Sequence, residues 1–232
     1  MRPPVEAGSG LSAVLRGVVA DIQQASGADI VSLYLYDEST RTYYAPFAIG
    51  QPQEGLLGSL ADMHEQMARY LDDAGQGKVP DELSFHHYGS TVWLTVTRQN
   101  LVAMDAPAQI DSTFIRRYQV QSTIGLPLLA ADRLLGLVYL NYRNRANAPD
   151  AKRLAVLEAQ AAAAASAVQA ALAAAERAAP TGVVSSAVSR PRPSSAARSA
   201  TVRAAWTDEA AAAAWASSAA SRFPSGACAR FR

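Results

Sequence analysis

The side chains able to do acid–base, nucleophilic or metal chemistry are few in this 232-residue chain, and they do not converge along it. The histidines are His64, His86 and His87. His64 falls in a helical stretch over 59–73, and "HHY" in a polar loop over 72–89, ahead of another helix. Such histidines could ligate a haem iron or hydrogen-bond a tetrapyrrole. No second ligand stands at metal-binding spacing, so a helix-surface histidine and a solvent-exposed loop pair is the preferred reading. The single cysteine, Cys228, sits close to the C-terminus. It rules out a disulfide within the chain and a cysteine-based zinc site, and it fits a reducing compartment. Asp105, Ser122 and Asn141 lie at or within strand ends and could hydrogen-bond a ligand, although Asp105 serves equally as a cap for "DAPA". No Ser/His/Asp set and no paired carboxylates at a shared mouth can be assembled, so catalysis is not expected.

A second group of residues suits binding rather than turnover. Tyr44, Phe47, Met63, Met67, Trp93 and Phe114 mix aromatic and methionine side chains, a wall that fits a planar or adaptable ligand. With Asp105 and Ser122 they form the candidate ligand-binding set. The alternative is that they fill a core.

The elements that must position them follow from periodicity. Leu11, Val14, Leu15, Val18, Val19 and Ile22 form one helical stripe. Ser9 is placed to cap it and Gly27 to end it. In "ADIVSLYLYDEST", Val31, Leu33 and Leu35 alternate with Ser32, Tyr34 and Tyr36, which predicts a central strand covered on both faces. "TYYAPFAIG" returns as a second strand with Pro46 marking an edge or bulge. Leu60, Met63, Met67, Tyr70 and Leu71 share a helix face. "STVWLTVTRQ" reads as a short helix, "LVAMD" as a short strand, and "DSTFIRRYQVQ" as a helix capped by Asp111. "STIGLPLLAADRLLGLVYLNYR" is a hairpin turning at Ala131-Asp132-Arg133. A long helix follows, with Pro149 near its first turn and Pro180 past its end. Tight turns between neighbouring strands make the sheet antiparallel. The fold class is α+β, with helices over the sheet.

Leu154, Leu157, Ala161, Ala164, Val168, Ala171 and Ala175 make a heptad seam on that last helix. It can pair with the first helix, with a second chain, or with both. Alanine knobs bury little area, so the helix needs the domain as an anchor.

Charge divides the chain. Residues 1–178 carry 14 Lys and Arg against 18 Asp and Glu, a net of −4, and residues 179–232 carry 7 against 2, a net of +5. The mildly acidic folded part offers no face for specific nucleic-acid binding. The Ala/Ser/Arg/Pro-rich stretch over 180–232 lacks the apolar residues of a core and reads as disordered. Its abrupt change of composition also fits a truncated or frameshifted remnant of a longer signalling protein. "MRPPVEAGSG" has no secretory h-region. "AQAAAAASAVQAALAAA" is too weakly hydrophobic for a membrane span. A cytoplasmic location is expected.

The amphipathic first helix running into "GADIVSLYLYDE", then "LVAMDAP", then "QSTIGLPLLAADRLLGLVYLNYR", resembles a GAF domain over roughly residues 10–145. Ser122, Pro127, Leu128, Asp132 and Gly136 hold the places of the family's last hairpin. The resemblance implies a central antiparallel sheet, with the first and last helices together on one face and a small-molecule pocket commonly on the other. The family's ligands include cyclic nucleotides, tetrapyrroles and small metabolites. With no cysteine in 10–145, covalent bilin attachment and the methionine-sulfoxide reductase chemistry of one branch are excluded. The Asn-Lys-Phe-Asp-Glu signature of cyclic-nucleotide-binding members is not seen.

Three organisational units are expected: a sensor domain over 10–145, a signalling and dimerisation helix over 146–179, and a tail over 180–232. The expected function is a non-catalytic sensing module of a signalling pathway. It would dimerise through its terminal helices and meet a signalling partner protein, with its cofactor or ligand unknown. The alternatives are a structural dimerisation or protein-interaction module without ligand, and a haem or tetrapyrrole sensor.

Overall fold

The computed structural model describes residues 6–144 and 148–178. These all fall within one unit, Met1–Pro180. The expectation for 180–232, and Pro180 with it, lies outside the described residues.

The sheet has five antiparallel strands in the order β2-β1-β5-β4-β3. They are β1 (Ile30–Asp37), β2 (Thr42–Ile49), β3 (Leu101–Ala103), β4 (Ser122–Ala130) and β5 (Arg133–Tyr142). β1 is buried along almost its whole length, as expected of a strand apolar on both faces. Pro46 has both expected roles. It lies on the edge strand β2, and the register slips beside it, so that Leu33 faces Phe47 while Leu35 faces Tyr44. The β4–β5 hairpin turns at Ala131 and Asp132, with Ala131 in the left-handed region at φ 52°. Gly136 pairs with Leu35 and with Leu128. A methyl there would strike the Tyr34 carbonyl and lie 3.2 Å from the Leu35 Cα. Only glycine lets β1 approach β5 this closely.

One face of the sheet is covered by α1 (Glu6–Ser26) and α7 (Ala151–Ala178), which pack on each other. The α1 stripe is buried at Leu11, Leu15, Val18, Val19 and Ile22. The helix closes at Gly27, whose φ is +63° and whose N–H donates to the Gln23 carbonyl. Ser9, the expected cap, lies inside α1, which starts at Glu6. On α7 the heptad seam faces inward. Leu157, Ala161, Ala164 and Val168 are buried against α1 and β4, so that stretch of the seam pairs within the chain. The Arg153 N–H donates to Asp150 Oδ1, which caps α7. α7 is long and apolar enough to cross a membrane by length and composition. Its packing on α1 and β4 buries Leu157, Ala161, Ala164, Ala165 and Val168.

The other face is roofed by α2 (Gln53–Gly75), α3 (Phe85–Tyr88), α4 (Ser90–Thr97), α5 (Ala106–Gln109) and α6 (Thr113–Tyr118). α2 starts six residues before the expected 59, directly after Pro52, which fixes the entry. The stretch 72–89 is not all loop. It holds the end of α2 and the short helix α3, where the Ser84 hydroxyl accepts from the His86 N–H. α4 is helical despite its β-branched residues. Val92 and Leu94 are buried, and Thr95 and Thr97 return their hydroxyls to the Thr91 and Trp93 carbonyls. α5 was not expected. Ser112 stands at the N-cap of α6 in place of Asp111, whose carboxylate instead meets Arg116.

Candidate functional site

Strand parity decides which side chains can meet on the roofed face. In β1 the residues facing α2 are Ser32 and Tyr34, and the ladder sets Tyr139 and Asn141 of β5 beside them, with Thr123 of β4 opposite Asn141. Over this floor α2 brings Ser59, Asp62, Met63 and Gln66, and α4 brings Ser90 and Thr91. The segment around α6 adds Ile110, Ser112, Phe114 and Ile115. Together they line a cavity of about 80 Å³ that opens toward solvent past Asp62.

The floor is polar at the centre of a sheet. Ser32 and Thr123 are 2% exposed and Asn141 3%, a placement that costs free energy unless hydrogen bonds satisfy it. The Thr123 hydroxyl donates to Asn141 Oδ1 at 2.7 Å. Ser32 donates to Gln51 Oε1 at 3.1 Å, and Ser59 to the Gly55 carbonyl at 2.9 Å. The Thr91 and Tyr139 hydroxyls lie 3.2 Å apart. Gln66 Oε1 is buried with no hydrogen-bond partner among the described residues. Tyr34 and Tyr139 meet edge to face at 6.3 Å. Burial pushes both phenols up, so they stand as neutral hydroxyls. The Asp62 carboxyl is raised as well, first by burial and then by the charge of Glu65.

A wider vestibule of about 330 Å³ adjoins the cavity and shares Asp62, Gln66, Ser90, Ile110 and Ser112 with it. Arg69, His86 and His87 line it, and Arg69 Nη2 donates to the His87 carbonyl at 2.8 Å. His64 lies elsewhere. Its Nε2 donates to the Tyr43 carbonyl at 2.7 Å, which pins α2 to β2 and leaves that nitrogen no ligand role. Among the described residues no cluster of three or more His, Cys, Asp or Glu is placed to hold a metal ion. The arrangement can bind a small molecule through hydroxyl, amide and aromatic groups. Its residues do not include a nucleophile set against a base.

Of the candidate ligand-binding set, the structure brings Met63 and Phe114 to the cavity wall. Asn141, singled out beside them in the sequence, is on the floor. Tyr44 and Phe47 pair with Leu35 and Leu33 and so belong to the opposite face, where the Arg16 guanidinium lies over the Phe47 ring. Ser122 is on that opposite face too, one residue out of step with Thr123. Met67 is buried in the core beneath α2. Trp93 packs half-buried against Phe85. Asp105 stands at the start of α5, where its side chain makes no capping bond. Sequence reading passed over Ser32, Tyr34, Thr123 and Tyr139 as site residues. The available signal was a run of polar side chains at alternate positions of strands otherwise apolar.

The GAF domain family model matches residues 10–168. No curated protein matches the chain. Among solved structures, the chain is similar to a GAF domain/HD domain protein from Geobacter sulfurreducens at 14% identity and a TM-score of 0.46, covering 68% of this chain and 92% of that one. It is similar to the GAF domain of a phosphoenolpyruvate-protein phosphotransferase from Coxiella burnetii at 16% identity and a TM-score of 0.47, covering 72% and 95%. A third is a Synechocystis GAF domain in its photoproduct state, at 15% identity and a TM-score of 0.44, covering 71% and 97%. With an antiparallel sheet between a terminal helix pair and a roofed cavity, and a family match running from α1 into α7, the chain belongs to the GAF domain family, whose domains are regulatory and sensory modules of signalling proteins and generally not catalytic.

Proposed function

We propose that this domain is a small-molecule sensor whose ligand occupies the cavity between the sheet and α2, α4 and α6. The observation that carries the reading is the buried polar floor of Ser32, Thr123 and Asn141. Apolar residues there would stabilise the sheet more cheaply, and polar ones suit a ligand that hydrogen-bonds in a dry site. Met63 and Phe114 are the apolar wall. The domain performs no turnover. It works as a homodimer joined through the outward faces of α1 and α7, in the cytoplasm, and passes ligand occupancy to a signalling partner.

The test is a thermal-shift screen of nucleotides, amino acids and small metabolites on the full chain. A ligand at 100 times its dissociation constant stabilises by about 2.7 kcal/mol. Ser112→Phe is the control. Ser112 lines the cavity and makes no capping bond, so a ring there fills the space without breaking an interaction. The ligand-induced shift is expected to vanish in that variant while the free domain stays folded. A shift of the same size in both proteins would place the ligand elsewhere.

A further inference from the structure

The charge of the cavity points to the kind of ligand it takes. Among the described residues its lining contains no Lys, Arg or His, and Asp62 is the one carboxylate. An anionic ligand would enter beside a carboxylate with no cation in the described wall to meet it, a like-charge arrangement. A cation would instead find Asp62 where cavity and vestibule join. The vestibule's own cation on α2, Arg69, is already bonded to the His87 carbonyl and stacked on the Tyr88 ring.

Hydrogen-bond polarity agrees. A hydroxyl has one hydrogen to donate and lone pairs left over. Ser32 and Thr123 have given theirs to Gln51 and Asn141, which leaves lone pairs on both oxygens, while the Asn141 amide keeps its N–H groups as donors. The Gln66 carboxamide oxygen, buried with no partner among the described residues, is a further acceptor. The aromatic walls Tyr34, Tyr139 and Phe114 add ring faces that attract a positive charge. At about 80 Å³, the space is near half of the roughly 150 Å³ cavity that takes a benzene molecule, so it has room for a few heavy atoms.

We propose that the cavity takes a small organic cation with N–H donors, a short amine or guanidine. Its charged head meets Asp62 and Gln66, and its remainder lies between the Tyr34, Tyr139 and Phe114 rings over the hydroxyls of the floor. The inference rests on the sensor reading above and adds the ligand's charge class.

The experiment compares three probes of one length and different charge on the full chain: 3-amino-1-propanol, 1,3-propanediol and 3-hydroxypropionate. Binding is read by isothermal titration at neutral pH and by the thermal midpoint. The aminoalcohol is expected to bind at least tenfold more tightly than the diol, and the acid not at all. Asp62 is exposed on α2, so Asp62→Asn leaves the fold intact and is expected to bring aminoalcohol and diol within twofold of each other. Binding of the diol or the acid as tight as that of the aminoalcohol, lost in Ser112→Phe, overturns the charge class and leaves the sensor reading standing. An amine preference that survives Asp62→Asn also overturns the proposal, since the charge recognised would not be that of Asp62. No binding by any of the three, together with a wider screen that finds no ligand, overturns both.

Discussion

At the scale of single residues, Gly136 and Asp62 show opposite relations between a side chain and its surroundings. Gly136 is needed for what it lacks, because a Cβ there meets β1 backbone at Tyr34 and Leu35 rather than the end of a flexible side chain. Gly136→Ala is therefore expected to destabilise the domain by about 1–3 kcal/mol, the usual cost of overpacking a core that cannot yield. The shift in urea midpoint at unchanged slope measures it. Asp62, exposed on α2 but partly desolvated, carries a charge that this desolvation and Glu65 both oppose. Its folded pKa lies above its unfolded one, so its contribution is fully present below about pH 4, the ordinary aspartate range. It is lost as pH rises through the folded value. Asp62→Asn, which cannot ionise, should accordingly be more stable than the parent at neutral pH, and the gap should close on acidification. Thermal midpoints of both proteins at pH 7 and pH 3.5 decide it. A gap that does not shrink toward acid would show that ionisation of Asp62 is not opposed by its site.

At the scale of elements, the sequence was most legible where a period repeats over several turns or a full strand. The α1 stripe, the two-sided apolar β1, the Pro46 irregularity and the final hairpin could all be read from spacing, because each residue's burial follows from its neighbours'. Less legible were short helices held by tertiary contacts, such as α3 and α5. Four residues make too few local bonds to declare themselves. The candidate site was legible in kind and misplaced in parity. Ser122 and Tyr44 are each one residue from a side chain on the roofed face, Thr123 or Tyr43, and in a strand that one step reverses the face. The α7 seam was seen correctly as a seam, and its central part is occupied within the chain. Glutamate at Leu157 or Val168 would therefore disrupt the core rather than an interface. For the proposed homodimer the terminal helices leave, with the outward face of α1, the outward side of α7, where Val156 is 50% exposed. Val156→Glu is expected to cost under about 0.5 kcal/mol of stability and, if the parent sediments as the proposed dimer, to convert it to monomer in sedimentation equilibrium. An unchanged dimer would place the interface off this helix face.

For the whole molecule, the two faces of the sheet have different duties. The α1–α7 face is closed by apolar packing, and the roofed face keeps a polar cavity. α7 is thus part of the domain's core and not an appendage to it. A chain ended at residue 150 would expose Ile124, Leu126 and Leu128, all buried in the intact domain. Such a chain is expected to lose its cooperative urea transition by circular dichroism. Retention of a sharp transition would mean that the sheet and α1 suffice. The edges of the sheet carry one more consequence. β2 ends the sheet with a proline and a slipped register, and β3 ends the other side with only three residues. Neither border offers the long, flat row of free backbone groups on which a foreign strand could nucleate. Fibrillar growth by strand addition to this sheet is therefore opposed at both ends, and among the described residues the helices are left as the broader surfaces for self-association.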